Sequence, residues 1–142
     1  MEGARCPVDI GFARTGVKRR SLMPFIKIKV NCRISPEQEI ELKTRMGKAI
    51  ELVPGKSEEY LLLEFEDEAR LWLRGRNARP MAYIEAAIFG NESHAGYPAF
   101  TAELSRIYQD VLGIAPEDCF IKYDDITAWA VGGQYIDREM FR

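Results

Sequence analysis

Hydrophobic and polar residues alternate along Phe25–Asn31. Ile26, Ile28 and Val30 fall on one side, and Phe25, Lys27 and Lys29 on the other. A period of two marks a half-buried strand, so a first strand is predicted here. The next apolar positions are Leu42, Met46, Ala49, Ile50 and Val53. They recur at three- and four-residue spacing and so share one face of a helix. Ser35-Pro36-Glu37-Gln38 marks its start: Ser35 can cap, Pro36 suits the first helical position, and Gln38 completes a capping box. Pro54-Gly55 ends it. A second strand is predicted over Glu59–Glu66, with Leu61, Leu63 and Phe65 on one face.

Asp67–Pro80 is a polar, arginine-rich excursion with a short strand expected at Leu71-Trp72-Leu73. Met81–Phe89 is apolar on both faces apart from Glu85, the pattern of a strand covered on both sides. A loop over Gly90–Gly96 leads to a second helix at Pro98–Leu112, with Phe100, Leu104, Ile107 and Val111 on one face and Gly113 as its stop. A fourth strand is predicted at Asp118–Tyr123, and short edge strands at Trp129–Val131 and Gln134–Ile136. The tail from Asp137 reads as polar and frayed.

The order is β-α-β, excursion, β-α-β. It predicts an α+β fold in which two β-α-β units form a four-stranded sheet with two helices on one face. The other face carries Tyr83, Ala87 and Phe89, or the residues alternating with them, and self-association is the simplest way to cover it.

Composition narrows the picture. The 142 residues fit one domain, and 46% hydrophobic with 30% charged residues supports a packed core. The formal net charge of -2 gives no reason to expect nucleic acid, and no apolar run is long enough for a membrane span. Cys6, Cys32 and Cys119 form no CxxC pair, and His94 is the single histidine, so neither a disulfide framework nor a zinc site is expected. A reducing, cytoplasmic setting fits these cysteines. Residues 1–22 are rich in arginine and lysine and lack periodicity, and the pattern breaks at Met23. They read as a leader preceding a domain over residues 23–142, with a targeting peptide or a true N-terminal arm as the other readings.

The candidate chemistry begins with Pro24. If the chain is processed after Met23, Pro24 gains a free secondary amine, and apolar neighbours would lower its pKa towards neutrality, as a general base requires. Within a longer chain the same nitrogen is a tertiary amide, and the residue reads simply as the first of a strand. Lys56 could hold a substrate carboxylate; on spacing alone it reads as a solvated lysine favoured by the helix C-terminus. Phe120 and Lys122 share a strand face that is either solvated or a seat for an aromatic acid. Arg70, Arg74, Arg76 and Arg79, with Trp72, read as a solvated loop rather than a phosphate site, since the domain is net acidic without residues 1–22. His94 sits in a loop with no Ser or Cys nucleophile to activate.

Taken in order, several segments resemble the tautomerase superfamily, most closely its macrophage migration inhibitory factor and D-dopachrome tautomerase branch. They are Met23-Pro24 and the following strand, Gly55-Lys56 with Glu59-Tyr60-Leu61, Pro80 with Phe89-Gly90, Ile114 to Asp118, Ile121 to Asp125, and Val131-Gly132. The resemblance spans about Met23 to Ile136 and rests on joint order and spacing. It implies a homotrimer with sites at subunit interfaces, Pro24 as catalytic base, and Lys56 binding the carboxylate of a phenylpyruvate-like α-keto or enol acid. It further implies substrate contacts from the Phe89 backbone, Phe120 and Lys122, and no cofactor or metal. Phe120 and Lys122 stand where the branch commonly has Tyr and Asn, so the pocket trades a hydroxyl for a cation. Met81-Ala82-Tyr83-Ile84 stands in place of a CxxC, so thiol–disulfide chemistry does not carry over. A dehalogenase or hydratase of the same superfamily, and a non-catalytic trimeric binding protein, are the alternatives.

Overall fold

The computed structural model describes residues 24–141. The expected leader, residues 1–22, lies outside them. Four strands, β1 (Pro24–Val30), β2 (Leu62–Glu66), β3 (Ala82–Phe89) and β4 (Cys119–Ile126), form one sheet in the order β2-β1-β3-β4. Two helices, α1 (Pro36–Ala49) and α2 (Tyr97–Leu112), connect the members of each parallel pair. β1 runs parallel to β2 and β3 parallel to β4, while β1 and β3 meet antiparallel at the centre. The two predicted β-α-β units therefore join through their first strands.

The period-two signal of β1 is realised in full: Ile26, Ile28 and Val30 are fully buried. They pack with Ile84, Ala86 and Ile88 of β3, Leu42 and Met46 of α1, and Phe100, Leu104 and Ile107 of α2. Burying such side chains stabilises by roughly 1.5–3 kcal/mol each. Both helices thus cover the same face. α1 starts where its cap residues predict: Gln38 N donates to Ser35 Oγ, and Ser35 N to Gln38 Oε1. Arg45 Nη2 then donates to Asp110 Oδ2 at 2.9 Å, tying α1 to α2.

The opposite face mixes charged and apolar residues in rows across the strands, one of them Leu62, Phe25, Ala87 and Asp124. Glu64, Lys27, Glu85 and Lys122 are register neighbours, and so are Glu66, Lys29, Tyr83 and Phe120. Opposite charges meet along these rows, with Lys27 Nζ 3.7 Å from Glu64 and Lys29 Nζ 3.8 Å from Glu66. Cross-strand pairing of this kind stabilises the sheet, while Leu62 and Phe120 stand exposed on the same face.

Several sequence expectations need correction. The strand predicted over Glu59–Glu66 begins only at Leu62, because Glu58–Tyr60 winds into a 3-10 turn that carries the chain onto the sheet edge. Leu71-Trp72-Leu73 is not a strand; Leu73 pairs with Arg76 alone, across a tight turn. β4 continues three residues past Tyr123, held by β3 to its end. The two short strands, β5 (Ala128–Val131) and β6 (Gln134–Asp137), pair with each other as a hairpin and not at the edge of the main sheet. The tail expected to fray forms a 3-10 turn at Arg138–Phe141, with Arg138 N donating to Thr127 O.

Gly96 has φ 82°, and a β-carbon there would run into the Leu52 carbonyl oxygen. Gly96→Ala is therefore expected to cost about 2–3 kcal/mol, since both the left-handed backbone and a rigid carbonyl oppose it. Ser35→Ala, which removes only the cap, is expected to cost about 1 kcal/mol. Urea unfolding of both variants checks this order; a Gly96→Ala midpoint equal to wild type would contradict it.

Candidate active site

Pro24 opens β1, and the antiparallel register sets it opposite Ile88, one residue before Phe89. Pro24 is buried, as the apolar flank of Phe25 and Ile26 suggests. Neighbouring strands lie about 4.8 Å apart, so the start of β1 and the end of β3 share one end of the sheet.

Lys56 reaches the same place from α1. The helix stops, Gly55 takes φ 77°, and Lys56 N donates to Val53 O at 3.1 Å. This turn sends the side chain inward. Lys56 is only 4% exposed, and its Nζ donates to Phe89 O at 2.6 Å. Burial lowers the pKa of the amine to about 8. The solvated reading of Lys56 is thereby overturned. Gly90, at φ 81°, turns the chain away immediately after Phe89, and a β-carbon there would lie 3.9 Å from the Lys56 amine.

A small apolar cluster closes around this point. Phe89 and Ile136 are buried, and Tyr60, Ile126, Trp129 and Val131 pack against them. The sequence marked Trp129 and Ile136 only as strand residues. They are register partners in the β5–β6 hairpin, and the hairpin brings them to Phe89.

Phe120 and Lys122 lie elsewhere in the chain. Phe120 pairs with Tyr83 and Lys122 with Glu85. Along β3 these positions are roughly 20 and 13 Å from Phe89. Both side chains sit on the open face, with Phe120 46% exposed. Lys122 Nζ lies 3.6 Å from Asp124, whose charge, with Tyr83 and Glu85, raises the lysine pKa. One chain thus brings Pro24, Lys56 and Phe89 together and leaves Phe120 and Lys122 apart from them.

A further polar group borders the site. Asp125 pairs with Ile88 on the side opposite Pro24. His94 Nε2 lies 2.8 Å from Asp125 Oδ2, and the imidazole stacks on Tyr97, which stacks on Tyr123. Tyr123 Oη and Thr101 Oγ1 are 2.6 Å apart. Burial, with the Asp125 charge second, pushes the Tyr97 hydroxyl up to about 12. His94, expected to stand in a loop, does so with φ 60°, but it is fixed by this stack. No periodicity could reveal the arrangement, because His94 and Asp125 are 31 residues apart.

Among the described residues, no three His, Cys, Asp or Glu side chains gather as a metal site, and no helix is long and apolar enough to cross a membrane.

The family model for macrophage migration inhibitory factor matches residues 23–135. No curated protein sequence matches the chain at a significant level. Solved structures with the same fold include macrophage migration inhibitory factor 2 of Leishmania major, at 21% identity and a TM-score of 0.75, covering 82% of this chain and 99% of that one. The macrophage migration inhibitory factor of Toxoplasma gondii is 19% identical, with a TM-score of 0.71 over 79% of this chain and 99% of that one. A protein inactivated by 2-oxo-3-pentynoate is 15% identical, with a TM-score of 0.72 over 83% of this chain and 99% of that one.

The Lys56 amine should titrate with a midpoint near 8, against 10.5 for an unperturbed lysine. NMR titration of protein labelled at the lysine ε-carbons, assigned with Lys56→Met, reads this directly. A Lys56 midpoint of 10.5 would contradict the buried geometry.

Proposed function

The chain belongs to the macrophage migration inhibitory factor family, and we propose that it is a cofactor-independent tautomerase of phenylpyruvate-like α-keto acids, with Pro24 as the base once its nitrogen is freed. One observation carries this reading: the buried Lys56 amine, fixed on the Phe89 carbonyl, sits at the end of the sheet where Pro24 begins β1. A base and a cation in one apolar corner suit an anionic acid whose α-proton must be moved.

An ammonium carries three donors, so Lys56 can hold Phe89 O and still receive a carboxylate. Pro24, as a secondary amine with buried surroundings that disfavour its cation, would take the proton from the carbon next to the keto group. The electron pair moves into a new carbon–carbon double bond, and the protonated Pro24 amine hands the same proton to the keto oxygen, regaining its lone pair. In the reverse direction Pro24 takes the enol proton from oxygen and delivers it to carbon. Electrons never leave the substrate, so the chemistry is positioning and proton transfer. That 2-oxo-3-pentynoate, itself an α-keto acid, inactivates a protein of the same fold supports the substrate class.

Phe120 and Lys122 enter this reading through a homotrimer. Their open sheet face, remote from Pro24 within one chain, would meet the Pro24 corner of a neighbouring copy. There Phe120 would pack on the substrate ring and Lys122 would add a second cation. A second reading rests on the Pro24 nitrogen itself. Joined to Met23 it is an amide without basicity, and the family fold would then serve as a non-catalytic binding protein.

In protein beginning at Pro24, Pro24→Ala is expected to lower kcat for phenylpyruvate by about a hundredfold or more while circular dichroism stays unchanged. Equal turnover in the variant would remove Pro24 as the base. Lys56 is cationic below its pKa of about 8 and loses charge above it, so KM should rise as pH passes through that value. Lys56→Arg should move the rise to higher pH; a KM flat across the same range would contradict carboxylate binding by Lys56.

A further inference from the structure

A second charged cavity lies at the other end of the sheet, where β3 and β4 begin. Its volume is about 260 Å³, and Leu73, Arg74, Arg76, Arg79, Met81 and Asp118 line it. The eight residues of β3 separate this end from Phe89, roughly 23 Å at strand spacing.

The excursion predicted to be a solvated loop is built onto a buried carboxylate. Asp118 is 3% exposed. Arg79 Nη2 lies 2.8 Å from its Oδ2, and Arg74 Nη1 lies 4.0 Å from its Oδ1. Leu73 N donates to Arg76 O at 2.8 Å and Arg76 N to Leu73 O at 3.0 Å. Between them Arg74 and Gly75 both take positive φ, 53° and 74°, which makes a two-residue hairpin turn. Arginine is an unusual occupant of a left-handed position, and such strain persists where surrounding contacts hold it. Asn31 secures the return of the excursion into β3: its Nδ2 donates to Arg79 O at 2.9 Å, and its Oδ1 accepts from Met81 N at 2.8 Å.

Charge in the cavity is unbalanced. Three arginines and one carboxylate line it, a net of two positive charges. Asp118 engages Arg79 and Arg74, and Arg76 forms no ion pair among the described residues. Planar guanidinium forks match the oxygens of a phosphate, often two at a time. Leu73 and Met81 add an apolar wall. The volume exceeds that of a bare phosphate ion and falls below that of pockets for drug-sized molecules.

We propose that the cavity of Arg74, Arg76 and Arg79 around Asp118 is a binding site for a small phosphate monoester. The two oxyanion charges offset the excess of two, Arg76 supplies a fork that Asp118 does not occupy, and the ester body lies on Leu73 and Met81. The site stands independently of the chemistry at Pro24.

Calorimetric titration of the full chain with phenyl phosphate at low ionic strength tests it. One site per chain is expected, and Arg76→Gln should weaken binding by roughly tenfold or more, the loss of charge-assisted hydrogen bonds. Arg76→Lys should recover only part, since it restores charge without the fork. The proposal is overturned by absence of binding at millimolar phenyl phosphate, or by an unchanged affinity in Arg76→Gln. Equal affinity for benzylmalonate would show a general dianion site and overturn the phosphate assignment. Displacement by excess phenylpyruvate would place the phosphate in the keto-acid site instead. An Arg76→Gln protein that dissociates on sedimentation, with no phosphate binding in the wild type, would show that the arginines meet a carboxylate of a second copy.

Discussion

A lysine amine held out of water is the constraint on which the functional end of this protein depends. Lys56 Nζ donates to the Phe89 carbonyl at 2.6 Å, and that bond joins the end of α1 to the end of the central strand β3. The amine gives up proton affinity to sit there. Its pKa falls from 10.5 to about 8, so below about pH 8 it opposes folding, and the cost fades as pH rises towards 10.5. A surface lysine would carry no such cost. Around it, Gly55 and Gly90 supply left-handed turns, one just before Lys56 and one just after Phe89. The buried Phe89 and Ile136 keep the corner apolar. Charge and apolar surroundings are thereby concentrated where Pro24 starts the first strand.

The sheet imposes the second constraint. Both helices pack on one face, where Ile26, Ile28, Ile84 and Ile88 are buried. The other face is mixed: Lys27, Glu64, Glu85 and Lys122 alternate in sign along one row, and Leu62, Phe25 and Ala87 line another. Such a face tolerates solvent, and it also suits a neighbour that presents polar groups. Phe120 stands out on it as a large exposed ring. Phe120 and Phe89 are separated by six residues of β3 register, so the proposed substrate site, which uses both, draws on two copies of the chain.

Much of the fold was legible in the sequence, because local periodicity and capping carry it. The alternation of β1, the Ser35–Gln38 capping box and the glycine stop at Gly113 all appear where the residues predict them. Boundaries failed where tertiary contacts decide. β4 outruns its hydrophobic pattern through Asp124 and Asp125 because β3 lies beside it throughout. The β5–β6 hairpin looks like edge strands in sequence, since alternation does not reveal a strand's partner. At the site, Pro24 and Lys56 were identifiable as candidates, and family resemblance named their roles. That Lys56 is buried was not legible, because a lone lysine after a helix stop is usually solvated. The arginines around Asp118 and the His94–Asp125 pair were equally hidden; each joins residues distant in sequence.

The proposed chemistry turns on the nitrogen of Pro24 more than on any other atom. As an amide it has no lone pair to offer a proton, and every other feature of the corner would then bind without reacting. The most direct test compares phenylpyruvate turnover by protein whose chain begins at Pro24 with turnover by protein retaining residues 1–23, the N-terminus of each verified by intact mass. The tautomerase reading predicts turnover only when Pro24 is first. Equal turnover by both forms, or none by either, would contradict it.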